Sequence, residues 1–213
     1  HMAGWRDVAQ LPGEEVEPLP KFDVPEQAYL GVLGMPGMTA WTGLNLIAEL
    51  QPRQRVLVSA ASGAVGSLAV QLAKAADCHV VGVAGSPAKC EWLESMGVKA
   101  VNYRNKDVDA LTQALHEASP EGYDIYYENV GGKVFDAVLP LLNTSARIPV
   151  CGVVAQYNAT DLPEGPDRLP LLLDTILKKR LTVRGFIIFD DYGHRFDEFF
   201  NEMSGWIEEG RIH

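Results

Sequence analysis

Short apolar runs alternate with segments of helical spacing along most of this chain, and this alternation constrains its fold more than any other feature. The runs predicted as strands are 56–58, 80–84, 100–103, 123–127, 148–154 and 181–188. The segments predicted as helices repeat apolar residues at a helical period, and they are 65–76, 87–96, 108–118, 134–142, 169–179 and 196–207. Six strands that alternate with helices predict an α/β fold, in which a mostly parallel, doubly wound sheet carries helices on both faces.

The segment before about residue 36 lacks this alternation. It is rich in Pro, Gly and acidic residues, so we expect irregular structure with at most one strand, near Gly4 and Trp5. Beyond it, the apolar spacing over 41–50 predicts a short helix, which Pro52 ends.

The strand predicted at 56–58 runs directly into a glycine turn that opens a helix. Aligned to the G-x-G-x-x-G fingerprint, Ala61 takes the first glycine position, Gly63 the second and Gly66 the third. Gly63 lets the backbone approach a pyrophosphate, Gly66 lets helix and strand pack closely, and the helix N-terminus supplies free N–H groups and a positive dipole. A tight turn without a ligand has the same pattern, but the flanking strands and helices favour a dinucleotide-binding, Rossmann-type sheet.

The end of the second predicted strand favours NADP(H) over NAD(H). NAD-binding folds place Asp or Glu there, about 20 residues beyond the fingerprint, to hold the ribose 2′-hydroxyl. This strand ends in Gly85 and Ser86 without a carboxylate, and Lys89 follows in the first turn of the next helix. The Ser86 hydroxyl and the Lys89 ammonium would attract a 2′-phosphate, with Arg104 as a second candidate cation. An ordinary solvated helix lysine is the alternative for Lys89.

Polar residues follow the fourth and fifth predicted strands, where open α/β sheets bind ligands. Asn129 ends the fourth strand and Tyr157 ends the segment after the fifth, so we expect both to face a nicotinamide. A turn or helix-capping residue is the alternative for Asn129, and a surface aromatic is the alternative for Tyr157. We expect Glu128 to be a solvated or paired carboxylate rather than a base.

The composition argues against several other classes of function. A formal net charge of −10 and a pI near 4.9 disfavour nucleic acid or an anionic membrane surface as a partner. Three scattered cysteines and five dispersed histidines form neither a disulfide pattern nor a zinc pattern, so we expect no metal. Without a signal peptide or an apolar run of roughly 18 residues, the sequence favours a reducing, cytoplasmic setting.

Three stretches, 34–40, 60–67 and 128–132, together resemble the zinc-independent medium-chain reductases. With the run 130–151, they are similar to the branch of prostaglandin and leukotriene reductases, double-bond reductases and bacterial curcumin reductases. The resemblance covers residues 4–213. It implies that NADP(H) is held by Gly63, Ala64, Val65, Gly66, Ser67, Ser86, Lys89, Tyr103, Asn129, Cys151, Gly152, Val153, Tyr157, Phe186, Ile187 and Ile188.

The resemblance also implies an activity, the reduction of the C=C bond of an enone or enal. Tyr157 matches the family tyrosine beside the substrate carbonyl and is therefore the candidate catalytic residue. Family members begin with most of a GroES-like substrate domain before Gly4 and continue beyond His213. We therefore expect that domain to be largely missing here, and this chain to bind cofactor but to turn over enones poorly. A quinone reductase and a non-catalytic NADPH-binding module remain open.

These expectations divide the chain into three parts. Residues 1–36 comprise a cloning scar at His1 and Met2, the end of a substrate-domain segment and a linker. Residues 37–190 form the NADP(H)-binding domain, and 191–213 form a helix that leads back to the substrate domain.

Finally, the resemblance implies a homodimer in which the strand predicted at 180–188 pairs with its counterpart. A long apolar strand left unpaired at a sheet edge invites that association. A helix or loop that covers the edge is the alternative.

Overall fold

The computed structural model describes residues 6–16, 18–161 and 166–213, and its centre is a six-stranded sheet. The strands are β1 (Arg55–Val58), β2 (His79–Ala84), β3 (Lys99–Asn102), β4 (Tyr123–Tyr127), β5 (Leu142–Val150) and β6 (Thr182–Gly185). Their spatial order is β3-β2-β1-β4-β5-β6, and every neighbouring pair is parallel. The doubly wound Rossmann sheet predicted from the alternation is therefore confirmed.

Helices cover both faces of this sheet. They are α1 (Met35–Trp41), α2 (Ala64–Ala75), α3 (Pro87–Ser95), α4 (Val108–Ala118), α5 (Gly132–Val138), α6 (Leu169–Lys179), α7 (Ile188–Tyr192) and α8 (Phe196–Glu208). Alternate side chains of a strand point to opposite faces. Val56 and Val58 accordingly pack in the core beneath α1, α2, α3 and α8, while Leu57 packs in the core beneath α4, α5 and α6. In the part of the chain that the structure describes, no helix has the length and apolar character to cross a membrane.

The first helix begins earlier than its apolar spacing predicts. It starts at Met35 behind Gly34, with Pro36 in its first turn, and continues as a π-helical stretch at Thr42–Ile47. A proline in the first turn is a start signal that the apolar period alone does not reveal. This helix spans the division proposed after residue 36, and the strand expected near Gly4 and Trp5 lies outside the described residues.

Two hydrogen bonds of buried aromatic side chains attach α1 to the rest of the domain. The Tyr127 hydroxyl at the end of β4 donates to the Thr39 carbonyl at 2.7 Å. The Trp41 indole N–H donates to Glu202 Oε2 in α8 at 2.8 Å. Helix α1, which precedes the sheet, and α8, the last helix, are therefore both packed against the sheet.

Two predicted strands have wrong boundaries. The strand predicted at 148–154 is β5, which begins at Leu142, because α5 ends at Val138 and only a 3-10 turn follows. The Glu128–Val150 bridge extends its pairing by one position beyond β4, and the pairing ends where the N–H of Gly152 shares the Glu128 carbonyl with that of Cys151.

The strand predicted at 181–188 is shorter, because β6 covers only Thr182–Gly185 and is exposed throughout. Asp191 Oδ2 accepts the N–H of Ile187 at 2.9 Å and thereby starts α7 where the apolar run continues. The strand lies at the edge of the sheet, as predicted.

Candidate cofactor site

The turn between β1 and α2 is held too tightly for any side chain at Gly66. A Cβ atom there would lie 2.3 Å from the carbonyl oxygen of Ala60, whose φ is +46°. The N–H of Ala61 is fixed to the Val83 carbonyl of β2 at 2.9 Å. At the start of α2, the N-cap residue Gly63 brings no side-chain acceptor to the free N–H groups of the first turn. The turn therefore presents a bare helix N-terminus, which is a site for an anion.

At the ends of β2 and β3, a tyrosine ring lies against a glycine. A Cβ atom on Gly85 would be 3.0 Å from the ring of Tyr103, so the two are in close contact. Lys133 in α5 lies over the same ring, 5.4 Å from its centroid, and donates to the carbonyls of Tyr103 at 3.3 Å and Lys106 at 3.0 Å. These contacts fix the Tyr103 ring beside the end of β2.

Ser86 and Lys89 lie together at the start of α3. Ser86 is the N-cap, and its Oγ accepts the backbone N–H of Lys89 at 3.4 Å. That bond leaves the hydroxyl proton of Ser86 available to another acceptor. The side chains of Lys89 and Arg104 are both exposed. The end of β2 thus offers hydrogen-bond donors and no carboxylate.

Asn129 joins the carboxyl ends of β1, β4 and β5. Its Nδ2 donates to the Ser59 carbonyl at 2.7 Å, its backbone N–H donates to Ser59 Oγ at 2.8 Å, and its Oδ1 accepts from the Cys151 thiol at 2.7 Å. Burial raises the pKa of the Cys151 thiol to about 12, so it is protonated at neutral pH and can donate. Asn129 does not cap α5, because Gly131 occupies that position.

Glu128 is only 1% exposed, so the expectation of a solvated or paired carboxylate is wrong. It forms a parallel bridge with Val150, which draws its side chain into the interior. Its Oε1 accepts the backbone N–H groups of Val130 and of Gly131, the latter at 2.9 Å. Ser59 Oγ lies 3.1 Å from the same oxygen. Glu128 therefore organises its own turn rather than meeting solvent or a cation.

Tyr157 folds back over the segment that follows β5. Its hydroxyl oxygen accepts the N–H of Val153 at 3.4 Å, and a Cβ atom on Gly152 would lie 2.9 Å from it. The same Cβ position is 3.2 Å from the carbonyl oxygen of Asn129. Tyr157 is 64% exposed as a residue, and its hydroxyl oxygen lies against Gly152 and Val153.

The three residues after β6 that were predicted to bind cofactor differ in burial. Phe186 and Ile188 are buried in the core beneath α1 and α8. Only Ile187 has an exposed side chain. Ala64, Val65 and Ser67 lie in the first turn of α2, as the glycine turn predicts.

A family model described as zinc-binding dehydrogenase matches residues 64–208. This chain belongs to the zinc-binding dehydrogenase family. It is 51% identical over 212 residues to the NADPH-dependent curcumin reductase of Escherichia coli (strain K12), covering 99% of this chain and 61% of that protein. It is 41% identical over 214 residues to the NADP(+)-dependent 2-alkenal reductase of Nicotiana tabacum, covering 99% and 60%. It is 38% identical over 216 residues to prostaglandin reductase 1 of Mus musculus, covering 99% and 64%.

Among solved structures, the chain is similar to CurA from Vibrio vulnificus in complex with NADPH. The TM-score is 0.82 with 49% sequence identity, over 90% of this chain and 57% of that one. The chain thus spans between half and two thirds of the length of the relatives that it matches. These relatives place it in the reductase branch of the zinc-binding dehydrogenases, as the resemblance predicted.

Zinc, which the family name mentions, has no site in the described part of this chain. No three side chains among the His, Cys, Asp and Glu residues described come together in a group that could hold a metal ion. No zinc chemistry is therefore assigned to these residues.

Sequence reasoning missed Ser59 and Lys133. Ser59 is buried, and its role appears only once β1 and β4 are paired and its hydroxyl meets Asn129 and Glu128. Lys133 acts through backbone carbonyls of a loop about 30 positions earlier in the chain. Lys133 lies four positions beyond Asn129, and no local sequence pattern there indicates such a contact. For Ser59, the one sequence feature that could have indicated a role was its position directly after a buried strand.

Replacing Lys89 with alanine should remove most of a preference for NADPH over NADH. A charge-assisted contact to a phosphate is worth roughly 1.5–3 kcal/mol, so the wild-type preference should be about tenfold or more. Calorimetric titration of both cofactors measures it. Lys178→Ala in α6 is the matched control, because that lysine pairs with Asp174 far from the carboxyl ends of the strands. Equal affinities of the wild type for the two cofactors would contradict the assignment.

Proposed function

We propose that this chain is the NADP(H)-binding part of an oxidoreductase that reduces C=C bonds conjugated to a carbonyl group. The observation that carries the proposal is the convergence of the bare N-terminus of α2, the acid-free end of β2 and the exposed Tyr157 side chain at one end of the sheet. The relatives named for NADPH-dependent curcumin reduction, 2-alkenal reduction and prostaglandin reduction support the same reaction class.

The residues at this end fit the parts of NADP(H) in order. The first turn of α2 would hold the pyrophosphate, because Gly63 leaves its N–H groups uncapped. Ser86 and Lys89 would hold the 2′-phosphate, and Tyr103 against Gly85 would hold the adenosine. Asn129, the segment 151–157 and Ile187 would surround the nicotinamide. Local donors thus meet the anionic cofactor despite a net charge of −10.

The residues near the nicotinamide end can contribute to the reaction in two ways, by donating a hydrogen bond to the substrate carbonyl and by supplying a proton. When bound, NADPH supplies a hydride to the β-carbon of the enone. The Tyr157 oxygen already accepts the N–H of Val153, so its O–H is free to donate to the substrate carbonyl. A donor placed there stabilises the negative charge that develops on the carbonyl oxygen as the enolate forms. The α-carbon then takes a proton, and the Tyr157 hydroxyl is the candidate source.

Tyr157→Phe should lower kcat at least about tenfold and leave the NADPH dissociation constant nearly unchanged. The substitution removes the donor but keeps the ring against Gly152. The kinetics require a form of the protein as long as its relatives, since turnover needs reacting atoms held about 3–3.5 Å apart in a site closed to water. Unchanged kcat in the phenylalanine variant would remove Tyr157 from the mechanism.

The reaction class is tested by comparing acceptors in the same full-length form. NADPH oxidation is followed with an enone, with a quinone and without an acceptor. We expect the enone to be reduced much faster than the quinone. Faster quinone reduction would contradict the C=C assignment, and binding of NADPH without oxidation by either acceptor would indicate a non-catalytic module.

We also propose that the protein is a homodimer through the edge of the sheet formed by β6. This edge strand pairs only with β5 in the described chain, and its residues are all exposed. The helix that precedes this strand in the chain, α6, packs on β5 and exposes a stripe of leucines at helical spacing, Leu169, Leu173 and Leu177. A second copy related by a two-fold axis can pair β6 with β6 and cover both stripes.

We further propose that the protein is located in the cytoplasm. Cys78, Cys90 and Cys151 are free thiols, and burial raises the pKa of each of them. Reducing compartments keep such thiols unpaired and also hold NADPH, which supports this location.

A further inference from the structure

Glu128 is the only charged residue in the buried core of the described chain, and the proposed chemistry does not use it. Burying a carboxylate is unfavourable unless hydrogen bonds compensate for its lost hydration. Here the compensation comes from one short turn: the N–H groups of Val130 and Gly131 both point at Oε1. Gly131 itself has φ +74°, a backbone conformation that favours glycine at this position of the turn.

The same turn carries the segment that contains Tyr157. The carbonyl of Glu128 accepts from Cys151 and Gly152, the carbonyl of Asn129 accepts from Val154, and the carbonyl of Val130 accepts from Ala155. Ser59 links the carboxylate to this arrangement, because its Oγ lies 3.1 Å from Glu128 Oε1 and accepts the Asn129 N–H. Loosening the turn would therefore release Asn129 and the segment 151–157 together.

We propose that Glu128 is a positioning residue for the nicotinamide end of the cofactor site, acting as an internal hydrogen-bond acceptor on which the 129–131 turn is built. The inference rests on the proposed NADP(H) site. The side-chain hydrogen bonds of Glu128 found among the described residues go to Ser59, Val130 and Gly131, and none of these is assigned to the phosphates. Its effect on binding should therefore be confined to the nicotinamide half.

Glu128→Gln provides a conservative comparison with Glu128→Ala. One amide oxygen can still accept from Val130 and Gly131, although a neutral acceptor is weaker than a carboxylate. The amide nitrogen would replace Oε2, which has no partner among the described residues. The nearby Tyr126 hydroxyl also lacks a partner there and can accept from that nitrogen. Glutamine should therefore restore part of what alanine removes.

The experiment compares two ligands, NADPH and 2′-phospho-ADP-ribose, which has the phosphates and adenosine but no nicotinamide. For Glu128→Ala we expect NADPH affinity to fall about tenfold, since buried donors lose their acceptor, while 2′-phospho-ADP-ribose changes less than about twofold. Glu128→Gln should fall between wild type and alanine. The fluorescence of the bound reduced nicotinamide should decrease in the same order, because a loosely held ring is more mobile.

Glu202→Ala is the matched control, because Glu202 is also a carboxylate that accepts one defined hydrogen bond, from Trp41, but lies away from the strand ends. It should leave the ratio of the two affinities unchanged. If Glu128→Ala does not fold, Glu128→Gln and Ser59→Ala carry the test, and both should weaken NADPH selectively.

An equal loss for both ligands, or no loss for either, would overturn the positioning role. Failure of the wild type to bind NADPH would instead overturn the proposed function, and this inference with it.

Discussion

Gly66→Ala should largely abolish NADPH binding and lower the free energy of unfolding by about 3 kcal/mol, the upper part of the range for overpacked sites. The added Cβ would lie 2.3 Å from the carbonyl oxygen of Ala60 and 2.9 Å from its carbonyl carbon. Both atoms belong to backbone that cannot rotate away, since Ala61 is hydrogen-bonded to Val83 in β2. The helix α2 must therefore move off the sheet, and its N-terminus leaves the position where it would meet the pyrophosphate.

Denaturant unfolding and NADPH titration measure both effects, and Gly205→Ala is the matched control. Gly205 lies within α8, and a Cβ atom there meets nothing within 4 Å. Alanine is favoured over glycine in a helix interior by about 1 kcal/mol, so this variant should be slightly more stable and bind normally. A Gly66→Ala protein with wild-type stability and affinity would show that the turn is not packed as described.

A double substitution, Leu173→Glu with Leu177→Glu, should convert the proposed dimer into a monomer. These leucines are 56% and 77% exposed and lie one turn apart on α6, the helix that packs on β5 and precedes the edge strand β6. Burial of one leucine side chain is worth roughly 1.5–3 kcal/mol, and each copy would bury both. The dissociation constant of the dimer should therefore rise by about a hundredfold or more, before the repulsion between the introduced carboxylates is counted.

Light scattering at micromolar concentration measures this change. Leu30→Glu is the control, because Leu30 is also a largely exposed leucine but lies before α1 rather than on α6. It should leave the mass at that of a dimer. A purely monomeric mass for the wild type would refute the pairing through β6.

The sheet could be predicted because each strand and helix has its own local pattern. The predicted ends of helices and strands were wrong where apolar residues continued from one element into the next. Leu141 and Leu142 extend the helical spacing of α5, yet Leu142 already belongs to β5. Phe186 extends the apolar run of β6, but its side chain packs against Tyr192 in the core instead of continuing the strand. Only tertiary contacts decide such cases.

The site residues also divide into those whose role follows from the local sequence and those whose role depends on tertiary contacts. The role of Gly66 in close helix–strand packing follows from local geometry at a turn, and the structure places it accordingly. Glu128 was assigned wrongly because a charged residue in sequence is usually at the surface. Its burial depends on the bridge to Val150, a residue 22 positions later in the chain.

Backbone amide chemical shifts during NADPH titration test the central claim, an NADP(H) site at the carboxyl ends of the strands, most directly. The largest changes should fall on the glycine turn at 64–67, on Lys89 and Tyr103, and on Asn129 with the segment 151–157. NADH should perturb the same residues more weakly, with the largest difference at Lys89. Changes confined to the opposite end of the sheet, around Arg53 and His79, or no changes at all, would contradict the claim.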